Sequence, residues 1–116
     1  MTARITHWIN GAAWTGTAER TGDVFDPATG KVSGKVDFAS RAVVDDVVAA
    51  AKAAFPAWRD TSLTKRIQIL FAFRELLNAR KGELAEIITA EHGKVLSDAM
   101  GEITRGQEVV EFACGL

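Results

Sequence analysis

The spacing of apolar residues changes near Ser40, and that change constrains the fold more than any single motif in the chain. Residues 5–36 are rich in turn residues and β-formers. From about Ser40, Val43, Val44, Val47, Val48, Ala51, Phe55 and Trp58 recur at three- and four-residue steps, with Asp45, Asp46 and Lys52 on the other side. A period that switches once predicts an α+β arrangement, N-terminal β-hairpins followed by three or four α-helices.

Within the first part, Trp8-Ile9-Asn10-Gly11-Ala12-Ala13-Trp14 sets Asn-Gly between apolar flanks. Both central residues of a type I′ turn need positive φ, which Asn and Gly tolerate, so this stretch predicts a hairpin. A second hairpin is expected across Val24–Val32, where Pro27 presets the turn and Gly30 can take a left-handed conformation. Two short hairpins form a marginal sheet in water, so they need a surface to lie on.

In the second part, Pro56 is expected to end or kink the first helix near Phe55. Ser62 can cap the next helix, whose apolar residues make two stripes, Ile67/Leu70/Phe71/Leu77 and Ile69/Phe73/Leu76. A helix apolar over so much of its circumference is expected to be covered on more than one side. Gly82 is expected to weaken or break it, with Leu84, Ile87 and Ile88 continuing to a stop at Gly93. The last helix is expected from Ser97 or Asp98 onward, with Gly115-Leu116 able to form its cap.

At 116 residues there is room for one domain of ordinary size. Lys and Arg number 14 against 15 for Asp and Glu, so no excess charge points to nucleic acid. No apolar run is long enough for a membrane span, and the single cysteine cannot form an internal disulfide. These features predict a cytoplasmic protein with neither nucleic-acid nor membrane partners.

The chemistry-bearing candidates are few. Gly30-Lys31-Val32-Ser33-Gly34-Lys35 resembles a phosphate loop only superficially: the spacing is short by one residue and Val36 replaces the hydroxyl residue. No Gly-x-Gly-x-x-Gly occurs, so the chain brings no dinucleotide fingerprint. His7 and His92 are far apart and Cys114 has no histidine near it, so no metal site is expected. Cys114 shares a stripe with Leu96, Ala99, Met100, Ile103, Gln107 and Val110, at a helix C-terminus where the dipole disfavours a thiolate. Packing is the better reading than a nucleophile. Arg105 lies in line with Gly101, Val109, Phe112 and Leu116. One reading pairs it with Glu102 or Glu108 on a solvated face; the other makes it an anion clamp. Gly101 and Gly106 weaken that helix by about 2 kcal/mol relative to alanine, a cost compatible with close approach to another group.

The order of these features resembles the aldehyde dehydrogenases at their N-terminal end. Trp8-Ile9-Asn10-Gly11 with Trp14 is similar to that family's opening hairpin. Val24 to Val32 resembles its Asn-Pro-Ala-Thr-Gly-Glu segment, with Asp26 for the usual Asn. Ala49 to Trp58 resembles its first helix, and Glu91-His92-Gly93-Lys94 its Glu-x-Gly-Lys. Gly101 to Gly106 and Val109 to Ala113 look most like the branch that acts on methylmalonate or malonate semialdehyde.

That resemblance implies oxidation of a semialdehyde with NAD and acyl transfer to coenzyme A, as in valine catabolism, in a homo-oligomeric enzyme. It implies that residues 5–36 join an oligomerisation sheet and that residues 40–116 pack on a cofactor-binding domain. It turns Arg105 toward the anion-clamp reading, as the residue that holds the semialdehyde carboxylate. It also implies that the nucleophilic cysteine and the cofactor strands lie later than the matched region, so Cys114 does not inherit the nucleophile's role. The 116 residues are then expected to be an N-terminal piece, inactive alone, binding no NAD or coenzyme A alone and prone to self-association. A piece of another aldehyde dehydrogenase, such as one for succinate semialdehyde, and a free-standing helical interaction module are the alternatives.

Overall fold

The computed structural model describes residues 3–115, in two compact units, Met1–Asp60 and Thr61–Leu116. The first unit holds β1 (Ala3–Ile5), β2 (Trp8–Ile9), β3 (Ala12–Ala13), β4 (Arg20–Phe25), β5 (Val32–Phe38) and α1 (Arg41–Asp60). The second holds α2 (Leu63–Ala79), α3 (Lys81–His92) and α4 (Leu96–Cys114). Strands precede four helices, as the single change of period predicts.

Strands β2 and β3 form the Asn-Gly hairpin, pairing Trp8 with Ala13 and Ile9 with Ala12. Asn10 and Gly11 have φ of 52° and 75°, the positive pair that a type I′ turn requires. Strands β4 and β5 form the second hairpin, with Val24 opposite Gly34 and a register shift between Val24 and Phe25. Its turn closes through Asp26: the Gly30 N–H donates to the Asp26 carbonyl at 2.8 Å, and the Ala28 N–H donates to Asp26 Oδ1 at 2.8 Å. An Asp at this position therefore keeps the side-chain turn bond that Asn would also make.

The sheet has an element that the sequence pattern does not announce. Strand β1 pairs parallel with β5, Ala3 beside Gly34 and Ile5 beside Val36, giving the order β1-β5-β4. Gly34 admits this neighbour, since a Cβ there would meet the Ala3 carbonyl at 3.2 Å. Arg4 of β1 donates to Asp37 Oδ2 from Nε at 2.9 Å and from Nη2 at 2.6 Å, and Nη2 also reaches the Gly16 carbonyl at 2.6 Å. The Asp37 side chain is 3% exposed, and the Arg4 hydrogen bonds hold its carboxyl below the usual carboxylate range. The hairpins thus rest partly on a third strand, and β-structure runs through Phe38 rather than ending at residue 36.

Ser40 starts α1, its Oγ accepting from the Val43 N–H at 3.3 Å. Pro56 does not end the helix, which continues to Asp60. Proline removes a single i→i−4 bond, and the ladder on either side carries the helix past it.

In the second unit, Ser62 caps α2 as expected, with its side chain accepting from the Lys65 N–H. The break after α2 falls at Arg80 rather than Gly82, which lies in the first turn of α3. Gly93 closes α3 with φ of 85°, the left-handed cap that glycine takes without a Cβ penalty. Helix α4 starts at Leu96, slightly ahead of the predicted Ser97, and the Leu116 part of its predicted cap lies outside the described residues.

Ala85 of α3 and Ala99 of α4 are fully buried, and Gln107 and Cys114 nearly so. Of the two α2 stripes, Ile67, Leu70 and Leu77 are half-buried while Ile69, Phe71, Phe73 and Leu76 are exposed. The expectation that this helix is covered on more than one side is not met within these residues. On its second stripe Phe73 lies beside Ile103 and Val110 of α4, while Ile69 and Leu76 stay more than half exposed.

Candidate functional site on the last helix

Helix α4 is fixed by its apolar stripe and by polar links to its neighbours. Ala99, Gln107 and Cys114 are buried and Met100, Ile103 and Val110 half-buried, all on the stripe that the period picks out. Arg74 of α2 donates from Nε to Glu111 Oε1 at 2.9 Å, and Gln107 Nε2 donates to the same oxygen at 2.9 Å. The Glu111 carboxyl is held below its usual range by the Gln107 bond first and by Arg74 second. Lys81 of α3 donates to Thr104 Oγ1 at 2.5 Å, and Thr104 Oγ1 donates back to the Met100 carbonyl at 2.9 Å. Lys94, in the α3–α4 connection, forms an ion pair with Glu102. Hydrogen bonding to Lys94 lowers the Glu102 carboxyl as well.

With the packed stripe turned inward, Gly101, Arg105, Val109 and Phe112 fall on the opposite face. Val109 is 69% exposed and Phe112 72%, so one cation stands one turn from a valine and two turns from a phenylalanine on an open helix face. Arg105 has no hydrogen bond or ion pair to any described residue. The pairing with Glu102 or Glu108 that the spacing allows is not formed, and Glu102 is occupied by Lys94 instead. A Cβ on Gly101 or Gly106 would meet nothing within 4 Å, so packing inside this chain does not require glycine at either position.

The other candidates separate cleanly. Cys114 is a buried free thiol near the end of α4, beside Phe71, Arg74, Glu75 and Glu111, which fits packing rather than nucleophilic attack. The lysines of the Gly30–Lys35 stretch lie in a hairpin, and Lys35 is paired with Asp23 at 2.5 Å. Among the described residues, no group of three or more His, Cys, Asp or Glu could hold a metal ion. No described helix is long and apolar enough to cross a membrane.

The sequence pattern places Arg105 on a face of α4 but does not mark the cations that bond other polar side chains of that helix. Lys94, Lys81 and Arg74 reach α4 from the preceding connection and from two other helices, and their spacing in the sequence carries no periodic signal. Only the Glu-His-Gly-Lys string marks Lys94, and it does so without indicating a partner.

Comparison with known proteins gives these residues a context. The model of the aldehyde dehydrogenase family matches residues 14–116. Malonate-semialdehyde dehydrogenase of Pseudomonas aeruginosa is 44% identical over 108 residues, which are 93% of this chain and 22% of that protein. The crystal structure of methylmalonate-semialdehyde dehydrogenase from Oceanimonas doudoroffii superposes with a TM-score of 0.93 at 46% identity, over 99% of this chain and 23% of that one. A Sinorhizobium meliloti protein described as a methylmalonate-semialdehyde dehydrogenase and complexed with NAD superposes at 0.94 and 43% identity, with the same coverage of each chain. This chain therefore spans less than a quarter of the length of these relatives. It belongs to the aldehyde dehydrogenase family.

Proposed function

We propose that these residues serve an NAD-dependent, coenzyme-A-acylating methylmalonate- or malonate-semialdehyde dehydrogenase, in which Arg105 binds the substrate carboxylate. The observation that carries this reading is an arginine without an intramolecular partner on an open face of α4, flanked by exposed Val109 and Phe112. A guanidinium offers two parallel donors that match the two oxygens of a carboxylate. Apolar neighbours displace water from such a pair and strengthen it, because the local dielectric falls.

The names of the relatives support the substrate class, and the NAD complex of one structural neighbour supports the cofactor. NAD would supply the hydride acceptor, but the residues present contain no Gly-x-Gly-x-x-Gly to cradle it. The role of this chain is accordingly recognition of the substrate's charged end. Alone it is expected to have no dehydrogenase activity and to bind neither NAD nor coenzyme A. The complete enzyme is expected to be a homo-oligomer, and the single buried thiol is compatible with a cytoplasmic location.

The test replaces Arg105 with Leu in the complete enzyme and compares kcat/KM for malonate semialdehyde with that for a neutral aldehyde of similar size. The acidic substrate should lose about 2 kcal/mol or more of transition-state binding while the neutral one is little changed. Equal losses for both aldehydes would remove the carboxylate anchor from this reading.

A further inference from the structure

The least expected feature around Arg105 is the fate of its neighbouring carboxylate. Glu102 precedes Arg105 by three residues, a spacing at which side chains on one helix meet. The two do not meet here. Glu102 turns to Lys94, whose side chain is only 19% exposed and which comes from outside the helix. Arg105 is left with no partner among the described residues.

We propose that Lys94 is a specificity-determining positioning residue: it holds Glu102 away from Arg105 and so keeps the guanidinium available for an anionic substrate. This deepens the reading of Arg105 as the carboxylate anchor and rests on it. A free Glu102 would act on the same site in two ways. It would occupy donors that the substrate needs, and its charge would oppose an incoming carboxylate. Lys94 removes the first effect by geometry and offsets the second by bringing a cation against Glu102. The packed position of Lys94 fits this role, because a mostly covered ammonium stem loses less side-chain freedom on pairing than a fully exposed one. Glu108, also three residues from Arg105, stays exposed, so the device acts on one of the two carboxylates that could reach the guanidinium.

The test uses the complete enzyme with three variants: Lys94→Met, Lys94→Met combined with Glu102→Gln, and Arg105→Leu. Each is assayed on malonate semialdehyde and on a neutral aldehyde of similar size. Lys94→Met should raise KM for the acidic substrate by about two- to fivefold, the scale of a partly exposed charge pair, with the neutral substrate unchanged. The double variant should return the acidic KM to near the parent value, because the freed carboxylate is gone although the ion pair is still absent. A crystal structure of Lys94→Met should show Glu102 on Arg105. If Lys94 only stabilised the fold, both substrates would suffer and the double variant would stay impaired, which overturns the proposal. Selective loss in Arg105→Leu with no selective loss in Lys94→Met overturns it while leaving the anchor intact. Equal effects of Arg105→Leu on both substrates overturn the anchor itself and the proposal with it, unlike any outcome of the Lys94 variants alone.

Discussion

Asn10-Gly11 is a turn because two successive residues must take positive φ, and the sequence offers the pair best suited to it. Arg105 is legible as a position on a face, whereas the partner that takes up its neighbour Glu102 is Lys94, eleven residues before Arg105 and outside the helix. Asp37 is the clearest case of a role invisible in the sequence, since its partner Arg4 lies 33 residues away. Its carboxyl is held below the usual range by the Arg4 hydrogen bonds, so the folded state binds a proton less readily than the unfolded chain. The stabilisation is then present above the unfolded value of about 3.9 and is lost as pH falls through the lower folded value. Hydrogen exchange of the β1 and β5 amides should accordingly accelerate as pH is lowered below about 4, after correction for intrinsic rates. Asp37→Asn should show faster exchange at neutral pH and lack this acid-dependent component. An identical pH profile in both proteins would assign the loss to other carboxylates.

Among the elements, a sustained apolar period or a strong turn pair is legible in the sequence, and a strand too short to show either is not. Helix α4 carries a stripe from Ala99 to Cys114 that the period alone identifies, and the structure buries Ala99, Gln107 and Cys114 along it. Strand β1 escaped because three residues, Ala3-Arg4-Ile5, cannot display a period, and a parallel partner leaves no turn signal between the strands. Of the end or kink expected at Pro56, the end does not occur, because one missing donor leaves the ladder on either side intact and α1 carries on to Asp60. Ala85 of α3 and Ala99 of α4 are both completely buried, so neither position leaves room for a larger side chain. Ala99→Leu should therefore overpack its surroundings and destabilise the second unit by about 1–3 kcal/mol, read from denaturant unfolding. The same variant should speed alkylation of buried Cys114, which needs local opening to react. Unchanged stability together with unchanged thiol reactivity would show that the packing around Ala99 has slack.

At the level of the molecule, the apolar residues outnumber the places these 116 residues provide for burying them. In the first unit Trp8 is 73% exposed and Phe55 57%, and α1 buries none of its residues. In the second unit Ile69, Phe73 and Leu76 form a half-exposed stripe on α2 while Val109 and Phe112 stand open on α4. Scattered exposed apolar residues are ordinary on a protein surface, but a continuous helical stripe of large ones marks a face that packs against something. The relatives are more than four times as long as the part matched here, which leaves residues enough in such a protein to cover faces of this kind. The 116-residue chain expressed by itself should thus self-associate through these stripes, and sedimentation velocity should show the mean species growing with concentration. Replacing Ile69 and Leu76 together with Lys should shift the distribution toward monomer, since both side chains are more than half exposed on α2. A parent chain that stays monomeric across a hundredfold range of concentration would mean that the stripes are covered within the chain, and the free-standing helical module would become the better account of these residues.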